Sequence, residues 1–378
     1  MKLGIITHPL AANYGGLLQN YALQQALKRL GHDVYTINRN SIPNVYTAKL
    51  AERIKFNLKN VAKRSIGRSV PPSLDQLILS RELCRKFTEE NITTTEVFHN
   101  QQELASLIEK NSFEGYVVGS DQVWRPSYSI NIYNDFLDFC QKLKGVKRMA
   151  YAASFGVADW EFSKEQTDKC SSLAKLFDAI SVREESGIRL CKEHLGVEAI
   201  QVLDPTLLLG KEDYIRLAEC NGEQESDGEL FCYILDGTTE VDNIINIISQ
   251  KLSLRSFQIK AKKSASEYKE HSNKEDYQIP SPTKWIRAFM DAKMVFTDSF
   301  HGCAFSIIFN KPFWVIGNKR RGNARFDSLL KLFKLEDRRI SLDEVVNTDM
   351  RRPINWNSVN EIKKEWQKKS YDFIKENL

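Results

Sequence analysis

The run KMVFTDSFHGCAFSIIFNKP, residues 293–312, restricts the fold of this chain more than any other stretch. It opens on an apolar, β-favouring segment, continues with the cap-forming residues Thr297, Asp298 and Ser299, and ends in a stretch apolar enough for a buried helix. This order predicts a strand, a turn and a helix, with His301 at the helix start. Helix N-termini at strand ends favour negative charge. We therefore expect His301 to face an anion; a structural histidine bonded to a carbonyl is the alternative.

A second strand, turn and helix are predicted at the beginning of the chain. An apolar first strand is followed by the glycine turn of Asn13, Tyr14, Gly15 and Gly16, and then by a helix and another apolar strand, which makes a βαβ unit. The turn lacks the G-x-G-x-x-G pattern of dinucleotide-binding sites, yet paired glycines let a ligand approach the backbone closely. We predict ligand contact at this turn; a purely conformational turn is the alternative.

Two further predicted strands deliver polar side chains at their ends. The strand at 116–118 leads into Ser120 and Asp121, which suit either a sugar hydroxyl or the cap of a following helix. The strand at 179–182 presents Arg183 at its end. Because ligands of open α/β sheets bind at these ends, all three residues are candidates for substrate binding.

The segment 318–325 carries four cations in eight residues, Lys319, Arg320, Arg321 and Arg325. Guanidinium groups bind carboxylates and phosphates through paired hydrogen bonds, so this placement favours an anionic substrate. Solvated surface charge is the ordinary alternative for any one of these side chains.

The alternation of strands and helices organises the chain into two parts. At 378 residues the chain is too long for one ordinary core. We predict an α/β protein with two βα domains, residues 1–208 and 209–345, whose strand ends face each other across a cleft, followed by a charged amphipathic helix in 346–378.

Composition and charge exclude several classes of protein. The net charge of +5 is too small to indicate nucleic-acid binding but is compatible with an anionic small substrate. The seven cysteines are scattered and show no C-x-x-C spacing, so we expect reduced core thiols and no zinc site. The N-terminal segment is expected to be a strand and not a signal peptide, and no stretch approaches the ~18 apolar residues of a spanning helix. These features predict a cytoplasmic protein.

Residues 49–68 form a predicted basic amphipathic helix. The segment carries seven basic side chains and one acid, and Leu50, Ile54, Leu58 and Val61 recur at helical spacing. Such a helix can lie on an anionic membrane surface. A solvated charged face over an ordinary apolar stripe is the alternative.

Four segments, NYGGLLQNYAL, GSDQVW, SVREES and TDSFHGCAFSIIFNKPF, together resemble the polysaccharide pyruvyl transferase family over about residues 1–335. The resemblance implies two Rossmann-like domains in a GT-B-like arrangement, with the acceptor on the first domain, the donor on the second, and a C-terminal helix that returns to the first. It also implies transfer of the pyruvyl group of phosphoenolpyruvate to sugar hydroxyls, commonly as a ketal, in the biosynthesis of cell-surface polysaccharides such as capsules, on the glycan or on a lipid-linked precursor.

This chemistry requires a proton donor and groups that hold an anion. His301 is the candidate general acid, because a bound anion favours the imidazolium. The resemblance assigns Arg183 to the phosphate or carboxylate, and Asp298 and Asp121 are candidates for orienting or deprotonating the acceptor hydroxyl. The other candidates for substrate binding are Arg325, Lys319, Arg321, Ser299, Ser120, Asn13, Tyr14, Gly15 and Gly16. No step requires a metal or cofactor, with phosphoenolpyruvate as the donor substrate.

One position departs from the family pattern. Several members have an arginine two residues before the histidine, where this chain has Ser299. Either the basic segment 319–325 replaces that anion clamp, or this branch holds another donor or has lost pyruvyl transfer. Two other functions remain open: a GT-B-type glycosyltransferase using a nucleotide sugar, and a non-catalytic glycan-binding protein. If the acceptor is a polyprenyl-diphosphate-linked oligosaccharide, the segment 49–68 would hold the enzyme at the inner face of the plasma membrane.

Overall fold

Two parallel β-sheets form the framework of the protein in the computed structural model, which describes residues 1–39, 71–317 and 322–378. The predicted basic helix at 49–68, together with Lys319 and Arg321, lies outside the described residues. Within the described ranges no helix has the length and apolar character needed to cross a bilayer. The prediction of an α/β fold with two sheet domains is confirmed.

The first sheet has six strands in the order β2-β1-β3-β4-β5-β6, and every neighbouring pair is parallel. Its strands are β1 Lys2–Ile6, β2 Asp33–Thr36, β3 Gly115–Val118, β4 Lys147–Ala153, β5 Ala179–Val182 and β6 Ile200–Gln201. The helices of this half are α1 Tyr14–Arg29, α2 Leu74–Ser80, α3 Glu82–Asn91, α4 Gln101–Asn111, α5 Lys164–Ala174 and α6 Glu185–Leu190.

The second sheet has five parallel strands in the order β11-β10-β9-β7-β8. Its strands are β7 Leu230–Tyr233, β8 Ser256–Phe257, β9 Met294–Thr297, β10 Phe313–Ile316 and β11 Arg339–Ile340. The remaining helices are α7 Lys211–Cys220, α8 Thr239–Leu252, α9 Pro282–Asp291, α10 Phe300–Ile308, α11 Ala324–Phe333 and α12 Trp356–Asn377.

The central strands are apolar throughout because both faces of each sheet are covered. Successive residues of β3 belong to different cores: Val117 packs in a core that also contains β9 residues such as Val295, whereas Val118 packs in a core of the first half alone. The strands of such parallel sheets have continuous apolar sequences and not an alternation of apolar and polar residues. The shared core joins the two halves over their inner faces.

The C-terminal helix α12 packs against the segment that connects the two sheets. Ser370 Oγ accepts a hydrogen bond of 3.0 Å from the backbone N–H of Leu203, and the Gln367 side chain donates to the carbonyl of Leu207. Phe373 lies beside Tyr151 of β4, with ring centroids 6.4 Å apart. The last helix therefore contacts the first half of the molecule.

Helices α2 and α3 belong to the first half of the sequence but pack on the second. The Gln76 amide donates to the carbonyls of Ser266 and Tyr268, and the backbone N–H of Ile279 donates to the carbonyl of Ser80 at 2.8 Å. A domain boundary drawn along the sequence at residue 208 does not anticipate this contact.

Candidate functional site

His301 lies in the first turn of α10, directly after the end of β9. Thr297 shapes the turn: its hydroxyl donates to the carbonyl of Tyr233 at 2.7 Å and accepts from the backbone N–H of Ser299 at 3.0 Å. A β-carbon at Gly302 would lie 2.2 Å from Thr297 Oγ1, so only glycine allows the helix to start this close to the strand. The strand, turn and helix predicted from the sequence are all present, with Ser299 as the N-cap.

The His301 ring is enclosed by residues from both halves of the molecule. Only 6% of the residue is exposed. A β-carbon at Gly15, in the first turn of α1, would lie 2.1 Å from His301 Nδ1. On the opposite side of the ring, Nε2 lies 3.8 Å from Asp204 Oδ2 and has no hydrogen-bond partner among the described residues. The histidine of the second half is thus held between the glycine turn and a carboxylate of the first.

Asp204 connects the polar residues of the site. Its Oδ2 accepts hydrogen bonds from Arg183 Nη1 at 2.8 Å and from Ser120 Oγ at 3.0 Å, and its Oδ1 accepts two from Thr206. The sequence alone does not single out Asp204 as a site residue. The available signal was an aspartate followed by proline at the end of an apolar strand, which is equally typical of a helix cap.

Arg183 is buried in the same cluster. Besides its bond to Asp204, it lies 3.5 Å from the carboxylate of Asp121, and its guanidinium stands 4.3 Å over the ring of Phe300. Its Nε and Nη2 are buried and have no hydrogen-bond partner among the described residues. Both atoms lie in longer ion pairs, Nη2 with Asp121 at 3.5 Å and Nε with Glu184 at 3.9 Å, and so keep hydrogen-bonding capacity that an anion could use.

Glu184 positions the loop that follows β4. Its Oε1 accepts hydrogen bonds from Ser154 Oγ at 2.9 Å, from the backbone N–H of Phe155 at 2.8 Å, and from that of Gly156 at 3.2 Å. A β-carbon at Gly322 would lie 2.3 Å from the carbonyl oxygen of Gly156. The two halves therefore touch again beside the site, and Glu184 is a second residue of the cluster that the sequence did not single out.

The cations of the cluster hold its carboxyls ionised. Burial opposes ionisation of Asp121 and Asp204, but Arg183 and His301 hold the pKa of both carboxyls below their ordinary values. Burial lowers the pKa of His301, with Asp204 and Asp121 acting against that effect and Arg183 and Arg325 adding to it. An anion bound beside the ring would favour the imidazolium.

Arg325 belongs to this cluster, although it comes from α11 of the second half. The residue is 6% exposed, and burial together with the neighbouring Arg183 lowers its pKa to about 10. Asp121 and Glu184 act in the opposite direction. Two guanidinium groups therefore lie close together in a buried site, which is a favourable arrangement for a ligand with more than one negative charge.

Several predicted site residues have other contacts in the structure. The Asp298 carboxylate accepts from the backbone N–H groups of Leu235 and Asp236, at 2.7 and 3.0 Å, and so fixes the loop after β7. The Tyr14 hydroxyl donates to the carbonyl of Pro280, and its ring stacks on Trp285. Both residues have clear structural contacts, and the catalytic role of Asp298 and the binding role of Tyr14 stay predictions.

The remaining predicted residues lie around the same cluster. Ser120 is fully buried with its hydroxyl on Asp204, whereas Asn13 is exposed at the N-cap of α1, beside Gly16. Ser299 is buried at the N-cap of α10. Among the residues that the structure describes, no group of three His, Cys, Asp or Glu side chains could hold a metal ion.

Replacing Gly15 with alanine is expected to destabilise the protein. The new methyl would overlap the buried ring of His301, and overpacking of this kind costs about 1–3 kcal/mol of unfolding free energy. The matched control is Gly16→Ala, because its β-carbon would first meet the terminal Asn13 amide nitrogen, at 3.2 Å, on an exposed side chain that can move. Urea denaturation of both variants measures the difference. Equal stability of the two would contradict the contact between Gly15 and His301.

Comparisons with known proteins identify a family and a fold. A family model described as polysaccharide pyruvyl transferase matches residues 13–320. No curated protein matches the sequence. Among solved structures, a glycotransferase of kitacinnamycin aligns with a TM-score of 0.51 at 10% identity, over 100% of this chain and 99% of that one. The UDP-GlcNAc 2-epimerase from Methanocaldococcus jannaschii aligns with a TM-score of 0.51 at 12% identity, over 98% of this chain and 100% of that one. The UDP-GlcNAc 2-epimerase from Neisseria meningitidis, bound to UDP-GlcNAc, aligns with a TM-score of 0.51 at 10% identity, over 100% of this chain and 99% of that one. These likenesses establish the GT-B-like fold.

Proposed function

The chain belongs to the polysaccharide pyruvyl transferase family, and we propose that it transfers the pyruvyl group of phosphoenolpyruvate to two hydroxyls of a sugar, forming a ketal. The observation that carries the proposal is that the buried side chains of His301 and Arg183 lie beside the same carboxylate oxygen, Asp204 Oδ2, at 3.8 and 2.8 Å. The imidazole supplies a proton donor, and the Arg183 guanidinium, whose Nε and Nη2 make no hydrogen bond within the described residues, supplies a cation for binding an anion. Phosphoenolpyruvate needs both, because it carries a phosphate, a carboxylate and a methylene carbon that must be protonated.

The residues of the cluster suit each step of that reaction. His301 donates a proton to the methylene carbon, which leaves C2 cationic and open to attack by the first sugar hydroxyl. The C2–O bond to phosphate then breaks, and the second hydroxyl attacks C2 to close the ketal. One hydroxyl proton returns to the imidazole and the other leaves with phosphate as hydrogen phosphate. Asp121 suits the role of orienting the acceptor hydroxyl by accepting its hydrogen bond, because the neighbouring Arg183 keeps the pKa of this carboxyl low and the carboxylate ionised.

We assign the second anion clamp to Arg325. Ser299 stands where several family members have an arginine, and its short side chain lies at the helix cap. Arg325 reaches the same buried cluster from the first turn of α11, and its pKa is sensitive to Arg183. A phosphate or carboxylate between these two guanidinium groups would offset their repulsion. The basic segment 318–325 thus contributes through its last residue, with Lys319 and Arg321 as further candidates.

The acceptor proposed here is a sugar with two neighbouring hydroxyls, carried on a polyprenyl-diphosphate-linked precursor. The support for the lipid-linked form is the sequence of residues 49–68, whose seven basic side chains suit an anionic membrane surface. A free polysaccharide would require no such segment.

Ligand binding and product analysis test the reaction directly. Phosphoenolpyruvate is expected to raise the melting temperature, since a ligand at a hundred times its Kd stabilises by about 2.7 kcal/mol. Incubation with galactose, mannose and N-acetylhexosamine acceptors, free and polyprenyl-diphosphate-linked, should then give a pyruvylated product by mass spectrometry, with one phosphate released per ketal. Stabilisation by nucleotide sugars instead, with no pyruvylated product on any acceptor, would favour a glycosyltransferase.

A further inference from the structure

We propose that Asp204 is a positioning residue for His301: its carboxylate, on the Nε2 side of the ring, favours a proton on that nitrogen and stabilises the charged ring that donates the proton. The inference deepens the proposed function, since it takes His301 as the proton donor. The arrangement resembles the general logic in which a buried carboxylate holds a catalytic histidine and supports its charged form.

The two ring nitrogens of His301 face different groups. Nε2 is the buried ring nitrogen and lies 3.8 Å from Asp204 Oδ2, whereas Nδ1 lies against the first turn of α1 at Gly15. A negative charge on the Nε2 side favours a proton on that nitrogen. Nδ1 then faces the glycine turn at Gly15, and it is the nitrogen that can exchange a proton with a ligand held at that turn.

Hydrogen bonds hold the Asp204 carboxylate in place. Thr206 donates to Oδ1 from its backbone N–H and its hydroxyl, at 3.0 and 2.7 Å, and Arg183 and Ser120 both donate to Oδ2. Four hydrogen bonds fix the plane of a carboxylate that is only 1% exposed. With two donors already on Oδ2, the ring interacts with Asp204 through charge across 3.8 Å.

Other charged groups around the ring act less directly. Asp121 also favours the imidazolium, while Arg183, Arg325 and burial oppose it, and His8 acts on Asp121. Asp204 is the one carboxylate among the described residues that comes within 4 Å of the His301 ring nitrogens. Removing its charge should therefore lower the pKa of His301 and leave less imidazolium at neutral pH.

Histidine NMR tests this without relying on any substrate. The chain has six histidines, so labelled imidazoles give few signals, and His301→Gln identifies the one of interest. In Asp204→Asn we expect the pKa of His301 to fall by about one pH unit or more, the size typical of an opposite charge at this distance. The matched control is Thr206→Val, which removes a bond to Oδ1 and leaves the charge on Oδ2, so the pKa should stay close to that of the unchanged chain.

A second variant keeps the test valid if Asp204→Asn does not fold. Ser120→Ala removes one donor from Oδ2 and lets Nε2–H approach that oxygen, which should raise the pKa of His301. An unchanged pKa in Ser120→Ala, or in a folded Asp204→Asn, would overturn the proposal.

Kinetics then separate this inference from the proposed function. A proton-donating imidazolium makes kcat fall as pH rises through the His301 pKa, so in Asp204→Asn that fall should begin at lower pH, at saturating donor. A purely structural Asp204 would lower kcat at every pH without moving the profile, and that outcome would overturn the proposal. If the NMR shift is found but no pyruvyl transfer occurs with the unchanged chain, the placement of Asp204 stands and the proposed reaction fails.

Discussion

Replacing His301 with glutamine is expected to lower kcat for pyruvyl transfer by about 10²- to 10⁴-fold, the usual loss when a general acid is removed. The Kd for phosphoenolpyruvate should change much less, because Arg183 and Arg325 remain to hold the anion. Steady-state kinetics give kcat, and isothermal titration gives Kd. Glutamine keeps a polar side chain of similar length beside Gly15, so the fold should persist, which circular dichroism checks.

The matched control for this variant is His99→Gln. His99 is exposed and lies next to Asn100, the N-cap of α4. The control should retain full activity. Full activity in His301→Gln, in a folded protein and on a defined acceptor, would remove the histidine from the reaction and favour a different proton donor.

Replacing Arg183 with glutamine should have the largest effect on stability. The guanidinium is surrounded by the carboxylates of Asp204, Asp121 and Glu184, at 2.8, 3.5 and 3.9 Å. Removing one partner of a buried ion pair leaves an uncompensated charge and costs about 3–5 kcal/mol. We therefore expect urea denaturation at neutral pH to show a loss of that order, together with loss of stabilisation by phosphoenolpyruvate.

The pH dependence of that loss follows from the sign of the carboxyl shifts. Arg183 keeps the pKa values of Asp121 and Asp204 lower in the folded protein than in the unfolded chain. Its stabilisation of the folded state is therefore fully present above a pH of about 4 and is lost as the pH falls through the pKa values of the folded protein. The unfolding free energies of Arg183→Gln and the unchanged chain should therefore become more similar in acid. Arg189→Gln, at an exposed pair with Glu193, is the control and should cost no more than about 1 kcal/mol. Equal losses in the two variants would contradict the buried network.

Much of the fold is predictable from the sequence because it depends on local patterns. Strands such as β3 and β9 read as short apolar runs, since both of their faces are buried, and glycines and cap-forming residues mark the turns that follow. The same patterns place His301 at the start of a helix and Arg183 at the end of a strand. Their nearness in space follows from the two sheets facing each other, as the family resemblance implies.

The functional network is less predictable because its members are far apart in sequence. Asp204 gathers Ser120, Arg183 and His301, and no local pattern distinguishes it from an ordinary cap residue before a short helix. At Asp298 the sequence suggests a catalytic role that the contacts in the structure do not require. Its place in a strand-end turn suggests chemistry, whereas the structure shows its carboxylate bonded to two backbone N–H groups. Sequence patterns locate strand ends, but tertiary contacts decide which side chains face the ligand.

The enclosure of His301 has a consequence for how the enzyme would work over time. The ring, carried by α10, is covered by the first turn of α1 on one side and by Asp204 on the other, so a three-carbon phosphate has little access to it in this conformation. If the proposed reaction holds, we expect each catalytic cycle to include a hinge-like parting of the two domains that admits the donor and releases phosphate. Solution viscosity and interdomain crosslinks should affect turnover as strongly as the chemistry does.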